Sequence, residues 1–243
     1  MNARSQGPQT IEIGRPGSAK PPWHSPATTP AGTGERPQSR PEERVNAALH
    51  ALGAVLALAA GLVLGGRATQ TGSPLALWCV AVSSAAMIAL YVVSAAYHIL
   101  PAGTAKDRLQ RIDRMVIAVF VAGSYTPIAL LMVRAPIGDA LCAIEWGLTA
   151  LAVAFLWGDP ARYPRRSERL YRVMGWITIL AARPFFEHTP PAALVALGLA
   201  GACYSAGVAL LVRDRVKYLH AGFHLLTLAG GGLQLWAISR VLS

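Results

Sequence analysis

Charge is what this chain has least of. Only 14% of its 243 residues are charged, and acidic groups are the scarcer sign, twelve Asp and Glu against twenty-two Lys and Arg. Soluble domains carry about a quarter of their residues charged. So thin a supply, beside 53% hydrophobic residues, describes a membrane protein. Cysteine is nearly absent too: Cys79, Cys142 and Cys203 are odd in number, fall in separate apolar segments and form no Cys-x-x-Cys spacing, so they read as small core residues. No basic amphipathic helix with interleaved aromatics is present, which excludes nucleic acid as the reason for the net charge of +10. The Lys and Arg sit in short loops, where orientation in a membrane explains them. The amino terminus lacks the apolar core of a signal peptide, so the first membrane helix is expected to be retained. The apolar runs lack period-two alternation, which argues against a barrel.

Two regions follow from composition. Residues 1–41 contain eight prolines among Gly, Ser, Thr and Gln and no apolar run. Such a segment buries too little surface to offset its ordering entropy and is expected to be a disordered cytoplasmic tail, with Trp23 and His24 solvated. Residues 42–243 form the transmembrane domain, in segments of roughly 45–66, 75–99, 113–133, 140–157, 170–187, 190–212 and 217–239, each near the ~20 residues that span a bilayer. The fifth is the least apolar: only Val173 to Ala182 separates Arg172 from Arg183, and a shallow or re-entrant element is its rival reading.

Loop charge favours a crossing there. With seven crossings and the tail inside, eighteen Lys and Arg face the cytoplasm, against Arg67, Arg134, Arg183 and Arg240 outside. If the fifth segment did not cross, the loop of Arg213, Arg215 and Lys217 would face outward, against the positive-inside rule. The expected fold is an all-α, seven-transmembrane-helix bundle with a cytoplasmic N-terminus, a multi-pass protein of the cell membrane.

This topology brings polar residues to one depth. Tyr218-Leu-His220-Ala-Gly-Phe-His224 opens the last segment, and histidines four apart share a helix face. Alone the pair admits metal ligation or imidazoles bonded to backbone and polar neighbours. Ser94 and His98 lie near the inner end of helix two, before Pro101, and Asp113 stands at the inner start of helix three. Glu43, Asn46 and His50 give the first helix a polar stripe at the same end. Ionisable groups inside a bilayer are costly and point to function. Three imidazoles, His98, His220 and His224, with the carboxylate of Asp113, have a physical solution in a bound divalent cation, and three His with an open position is a catalytic type of Zn2+ site.

Several motifs in order carry a resemblance: Glu43-x-x-Asn46-x-x-x-His50, Ser94-Ala-Ala-Tyr97-His98, Arg111-Ile-Asp113, Ala122-Gly-Ser-Tyr-Thr-Pro127, Tyr171-Arg-Val-Met-Gly-Trp176 and His220-Ala-Gly-Phe-His224. The stretch from about Glu43 to Ile238 resembles the hemolysin III family, the bacterial branch of the progestin and adipoQ receptor group. The resemblance implies seven helices and zinc near the cytoplasmic side, with His98, His220 and His224 as ligands. It further implies that Asp113 positions the zinc-bound water, with Ser94 close by. The related alkaline ceramidases suggest hydrolysis of lipid amides. Two positions depart from the family pattern: Gln234 stands where a further His is common, and Phe223 where Trp is usual.

Other residues have plainer readings. Gly61-Leu-Val-Leu-Gly65 and Gly230-Gly-Gly232 fit close helix packing, Glu145 a carboxylate reaching the interface near the outer end of helix four, and Trp78, Trp146 and Trp236 interface anchors. The expected function is a zinc-dependent hydrolase of a lipid amide or ester entering from the bilayer. The alternative is a receptor or regulator of membrane lipid state with a structural zinc. A pore-forming cytolysin ranks last, because a closed bundle offers no soluble-to-membrane transition.

Overall fold

The computed structural model describes residues 38–158, 164–213 and 216–243; the expected tail lies almost wholly outside the described residues, as does most of the loop before the fifth segment. Eight α-helices run in order: α1 (Arg40–Gln70), α2 (Pro74–Ile99), α3 (Thr104–Pro127), α4 (Ile137–Gly158), α5 (Pro164–Trp176), α6 (Ala182–His188), α7 (Pro191–Val212) and α8 (Leu219–Val241). A π-helical turn, Ile128–Val133, continues α3, and a 3-10 turn, Ile177–Ala181, joins α5 to α6. No strand occurs among the described residues. Among the described residues, six helices are long and apolar enough to cross a membrane: α1, α2, α3 with its π turn, α4, α7 and α8.

Local chemistry sets the ends. The first helix begins five residues before the apolar run, because the Glu42 carboxylate accepts bonds from the Ser39 N–H (3.0 Å) and hydroxyl (2.6 Å) and Pro41 suits the first turn. Ser73 caps α2 by accepting from the Ala76 N–H at 3.2 Å, and α2 stops before Pro101. The third helix starts at Thr104, nine residues before the expected 113, because its polar first turns pack beside α2: the Gln110 amide donates to the Tyr97 hydroxyl at 3.1 Å. Pro127 has no N–H to offer the preceding turn, and the helix passes directly into the wider π turn.

The fifth segment is where the fold departs most from a row of straight spans. It is a helix to Trp176, a 3-10 turn and a short helix to His188, and it does not count among the six apolar spans. Arg172, Arg183, Pro184, Glu187 and His188 leave too short an apolar run between them.

The bundle packs through small residues. Gly123 lets α3 meet α2 so closely that an added Cβ would lie 2.3 Å from the Ala86 Cβ. Gly230 and Gly231 accept Tyr204 and the Tyr91 hydroxyl against α8. Gly61 faces Ser84 of α2 and serves packing inside the bundle, whereas Gly65 meets no neighbour among the described residues. Cys79 and Cys142 are buried. Leu52, Val55, Leu56 and Leu62 of α1 and Val195 and Leu199 of α7 are exposed, an apolar exterior that suits lipid and not water.

Candidate metal centre

The packing of α1 against both α2 and α8 builds the site. Each helix brings imidazoles at one end of the bundle: His50 from α1, His98 from α2, and His220 and His224 from α8. His50, His98 and His224 are buried, and each offers a ring nitrogen such that the three lie within 4.8 Å of one another. His50 Nε2 is 2.8 Å from His224 Nδ1, and His224 Nε2 is 3.1 Å from His98 Nε2. The His220 ring lies edge-on to His224, centroids 4.5 Å apart, and 5.5 Å from His98.

Glu43 organises these contacts. Its Oε2 lies 2.6 Å from His98 Nδ1, and its Oε1 accepts from Lys106 Nζ at 2.8 Å, while Lys106 also donates to the carbonyls of Tyr97 and Leu100. A carboxylate only accepts, so His98 Nδ1 carries the proton of this bond, and the neutral ring presents a bare Nε2 toward His224. The contact between the two Nε2 atoms then requires His224 to donate, which leaves its Nδ1 to accept from His50 Nε2. One consistent set of tautomers therefore runs from Glu43 through His98 and His224 to His50, whose Nδ1 is buried with no hydrogen-bond partner among the described residues.

Asp113 and Ser94 meet on the adjoining side. The Ser94 hydroxyl faces the Asp113 carboxylate, which lies within electrostatic reach of His98 and His220. Asp113 Oδ1 is buried without a hydrogen-bond partner among the described residues, and so are both amide atoms of Asn46, a residue with no exposed surface. Chemically this is a set of nitrogen donors between two carboxylates, out of water. It could hold a divalent cation.

The family model described as haemolysin-III related matches residues 38–235, more than three quarters of the chain. The chain belongs to this family. Hemolysin-3 of Bacillus cereus is 29% identical over 197 residues, covering 81% of this chain and 90% of the relative. The Hemolysin-3 homolog of Bacillus subtilis (strain 168) is also 29% identical over 197 residues, 81% of this chain and 92% of the relative. No solved structure matches.

Within this member of the haemolysin-III family, each sequence-derived site residue falls at the same end of the bundle. His98 and His224 lie together, His220 flanks both, and Ser94 meets Asp113. His50 and Glu43 belong to the site as well, although in the sequence they show only as members of the polar stripe of the first helix. Lys106, in the sequence a loop charge, reaches Glu43. Gln234 is no loose substitute for histidine: its Oε1 accepts from the Tyr204 hydroxyl at 3.0 Å and its amide donates to the Ser124 carbonyl at 3.3 Å. Glu145 differs from its interfacial reading. It has no exposed surface, because it is turned inward where α4 packs against α3 and the π turn, within electrostatic reach of Tyr125.

Proposed function

We propose that the chain is a zinc-dependent hydrolase of a membrane lipid, acting on an amide or ester that enters from the bilayer. The carrying observation is the convergence of buried imidazoles whose outer nitrogens are already engaged. His98 and His224 turn Nε2 atoms toward each other at 3.1 Å, while their Nδ1 atoms are held from α1 by Glu43 and His50. A cation between the two Nε2 atoms would displace the proton that His224 donates there, so that His224 Nδ1 would carry the proton and donate to His50 Nε2; a metal's histidine ligands are typically oriented by such a partner on the far nitrogen. With zinc–nitrogen bonds of about 2.0–2.1 Å, ligating nitrogens sit about 3.4 Å apart, so the pair fits with a shift of a few tenths of an ångström.

We assign His98, His220 and His224 as ligands and His50 as the group that orients His224. His224 turns one nitrogen to His98 and the other to His50, and a single ion takes only one of them. Bound zinc would acidify water and polarise a carbonyl. We assign to Asp113, beside Ser94 and with one oxygen unpartnered, the role of orienting an attacking water, whose proton it would accept and return to the leaving group. Burial of Asn46 and His224 keeps bulk water from the same volume.

We further infer seven crossings with the N-terminus in the cytoplasm and the site at the cytoplasmic end. The fifth segment lacks a continuous apolar helix, but its residues 170–187, through the end of α5, the 3-10 turn and α6, rise about 30 Å at ~1.5 and ~2.0 Å per residue, enough to match the ~30 Å core.

Protein purified in detergent with zinc present and no chelator tests the reading. About one zinc per chain is expected, with hydrolysis of an amide-linked lipid that Asp113→Asn removes while keeping the metal. Turnover surviving in Asp113→Asn would exclude its role. Metal-dependent thermal stability with no turnover on any lipid would replace the hydrolase with the regulator carrying a structural zinc.

A further inference from the structure

A second buried polar group stands apart from the imidazoles. Glu145, on α4, has no exposed surface, and both its carboxylate oxygens are buried without a hydrogen-bond partner among the described residues. It lies eight residues into α4, and Tyr125 lies eight residues before the end of the π turn that closes α3, so the two share a level. Tyr125 is twelve residues beyond Asp113, about 18 Å along α3 from the histidine level. The two polar groups therefore occupy different depths.

The surroundings of Glu145 are irregular where the rest of the bundle is regular. The π turn Ile128–Val133 and the 3-10 turn Ile177–Ala181 both pack against α4. Thr178, inside the 3-10 turn, donates its hydroxyl to the Tyr125 oxygen at 2.9 Å, and the Tyr125 phenol lies within electrostatic reach of Glu145. That bond leaves the phenolic proton as a donor. Thr126 is occupied by the Trp146 indole N–H at 3.1 Å and its own bond to the Ala122 carbonyl, so it does not serve Glu145. Non-α turns inside a membrane also release carbonyl groups from the i to i−4 ladder, and such turns coordinate small cations in transporters.

The burial excludes a large occupant. Tyr125, Thr126, Leu141, Cys142 and Glu145 are all buried, and a lipid headgroup does not reach them. A carboxylate without a counter-charge is costly in such a place, and either a bound proton or a bound metal cation removes the cost. The other titratable groups around it are a hydroxyl and a thiol, Tyr125 on α3 and Cys142 on α4 itself; Cys142 in turn meets Cys79 of α2 and Asp139, six residues before Glu145. The π turn contributes no titratable side chain, Arg172 and Tyr171 of α5 lie toward the other end, and Arg183 and Glu187 of α6 pair with each other at 2.9 Å. Among the described residues, no fixed cation faces Glu145 from these elements.

We propose that Glu145, with Tyr125, Thr178 and the two irregular turns, forms a second site that takes a small monovalent cation, H+ or Na+. The site is independent of the zinc reading. The test is labelling of Glu145 in full-length protein by a hydrophobic carbodiimide, which attacks the protonated carboxyl, read by peptide mass spectrometry between about pH 5 and pH 9. Labelling should fall as pH rises, by up to about tenfold per unit once the group titrates. If Na+ is the occupant, Na+ but not choline at equal ionic strength should suppress labelling further at fixed pH. Suppression by pH alone assigns the proton. The melting temperature in detergent is the second readout, since it needs no reagent access: the difference between wild type and Glu145→Gln should change across the same pH range, or with Na+. Labelling that stays flat in pH and Na+, or parallel melting curves for wild type and Glu145→Gln, would overturn the proposal and leave a permanently neutral core carboxyl.

Discussion

Replacing Glu43 by Gln isolates the contact that sets the tautomer of His98. The substitution keeps size and shape, and an amide oxygen still accepts from His98 Nδ1, so the 2.6 Å contact survives as a neutral bond in place of a charge-assisted one. Charge-assisted bonds are about twice as strong as neutral ones, and partners of metal-ligating histidines typically change affinity by about 10–100-fold. The Glu43 side chain is 20% exposed, which screens part of its charge, and Lys106 keeps the Tyr97 and Leu100 carbonyls when the carboxylate goes. The lower part of the range applies: about tenfold weaker zinc binding, or about 1.4 kcal/mol, for Glu43→Gln, and nearer 100-fold for Glu43→Ala, which leaves His98 Nδ1 unpaired at a buried site. Competition with a chromophoric zinc chelator in detergent measures this, with Lys106→Met as the comparison, expected to move affinity less because it touches Glu43 and not the ligand. A folded Glu43→Gln protein that binds zinc within about twofold of wild type would refute the argument, since neither charge nor tautomer at His98 would then matter.

Three further outcomes are expected. His220→Ala should lower bound zinc as far as His224→Ala, and His50→Ala less far; the reverse order, read by metal analysis, would make His50 the third ligand, as its nitrogen distances allow. Gly123→Ala should destabilise the α2–α3 contact by about 1–3 kcal/mol in a reversible unfolding assay, because the added methyl would sit 2.3 Å from Ala86 unless the helices part. Single cysteines at Arg67 and Arg183 of a cysteine-free variant should label from outside the cell and one at Arg166 should not; outward labelling of Arg166 would invert the fifth crossing and its loop.

Much of the fold was legible because a bilayer asks for one pattern, a run of about twenty apolar residues, and six such runs became helices. Their ends were less so. The polar first turns of α1 and α3 look like loop to a hydropathy reading, but Glu42 caps one, and Gln110 and Lys106 bind the other to α2 and Glu43. The break at Ile177–Ala181 had a compositional trace in the charges that bracket it, without any mark of where the turn would fall. In the site, His220 and His224 were visible from spacing alone, since four residues bring two side chains to one helix face. His98, Asp113 and Ser94 needed the topology as well. Glu43 and His50 could not be given roles, because what each touches depends on how α1 leans against two other helices, and a polar stripe tells only which face is turned inward.

That lean explains why a helix that supplies none of the proposed ligands carries so many polar residues. Glu43 reaches His98 on α2, His50 reaches His224 on α8, and Glu42 accepts from the Tyr218 N–H at 2.9 Å, just before α8 begins. Tyr218 has a φ of 66°, a left-handed conformation that costs a non-glycine residue about 1 kcal/mol or more. Its N–H meets a buried carboxylate there, and the bond offsets that cost while fixing where the first turn of α8, and hence His220, starts. The helices that carry the imidazoles are thus tied at one end to the same two turns of α1. A loosening of those turns would move His98 and His224 together, so the geometry of the centre depends on the first helix even though its chemistry is assigned to the second, third and last.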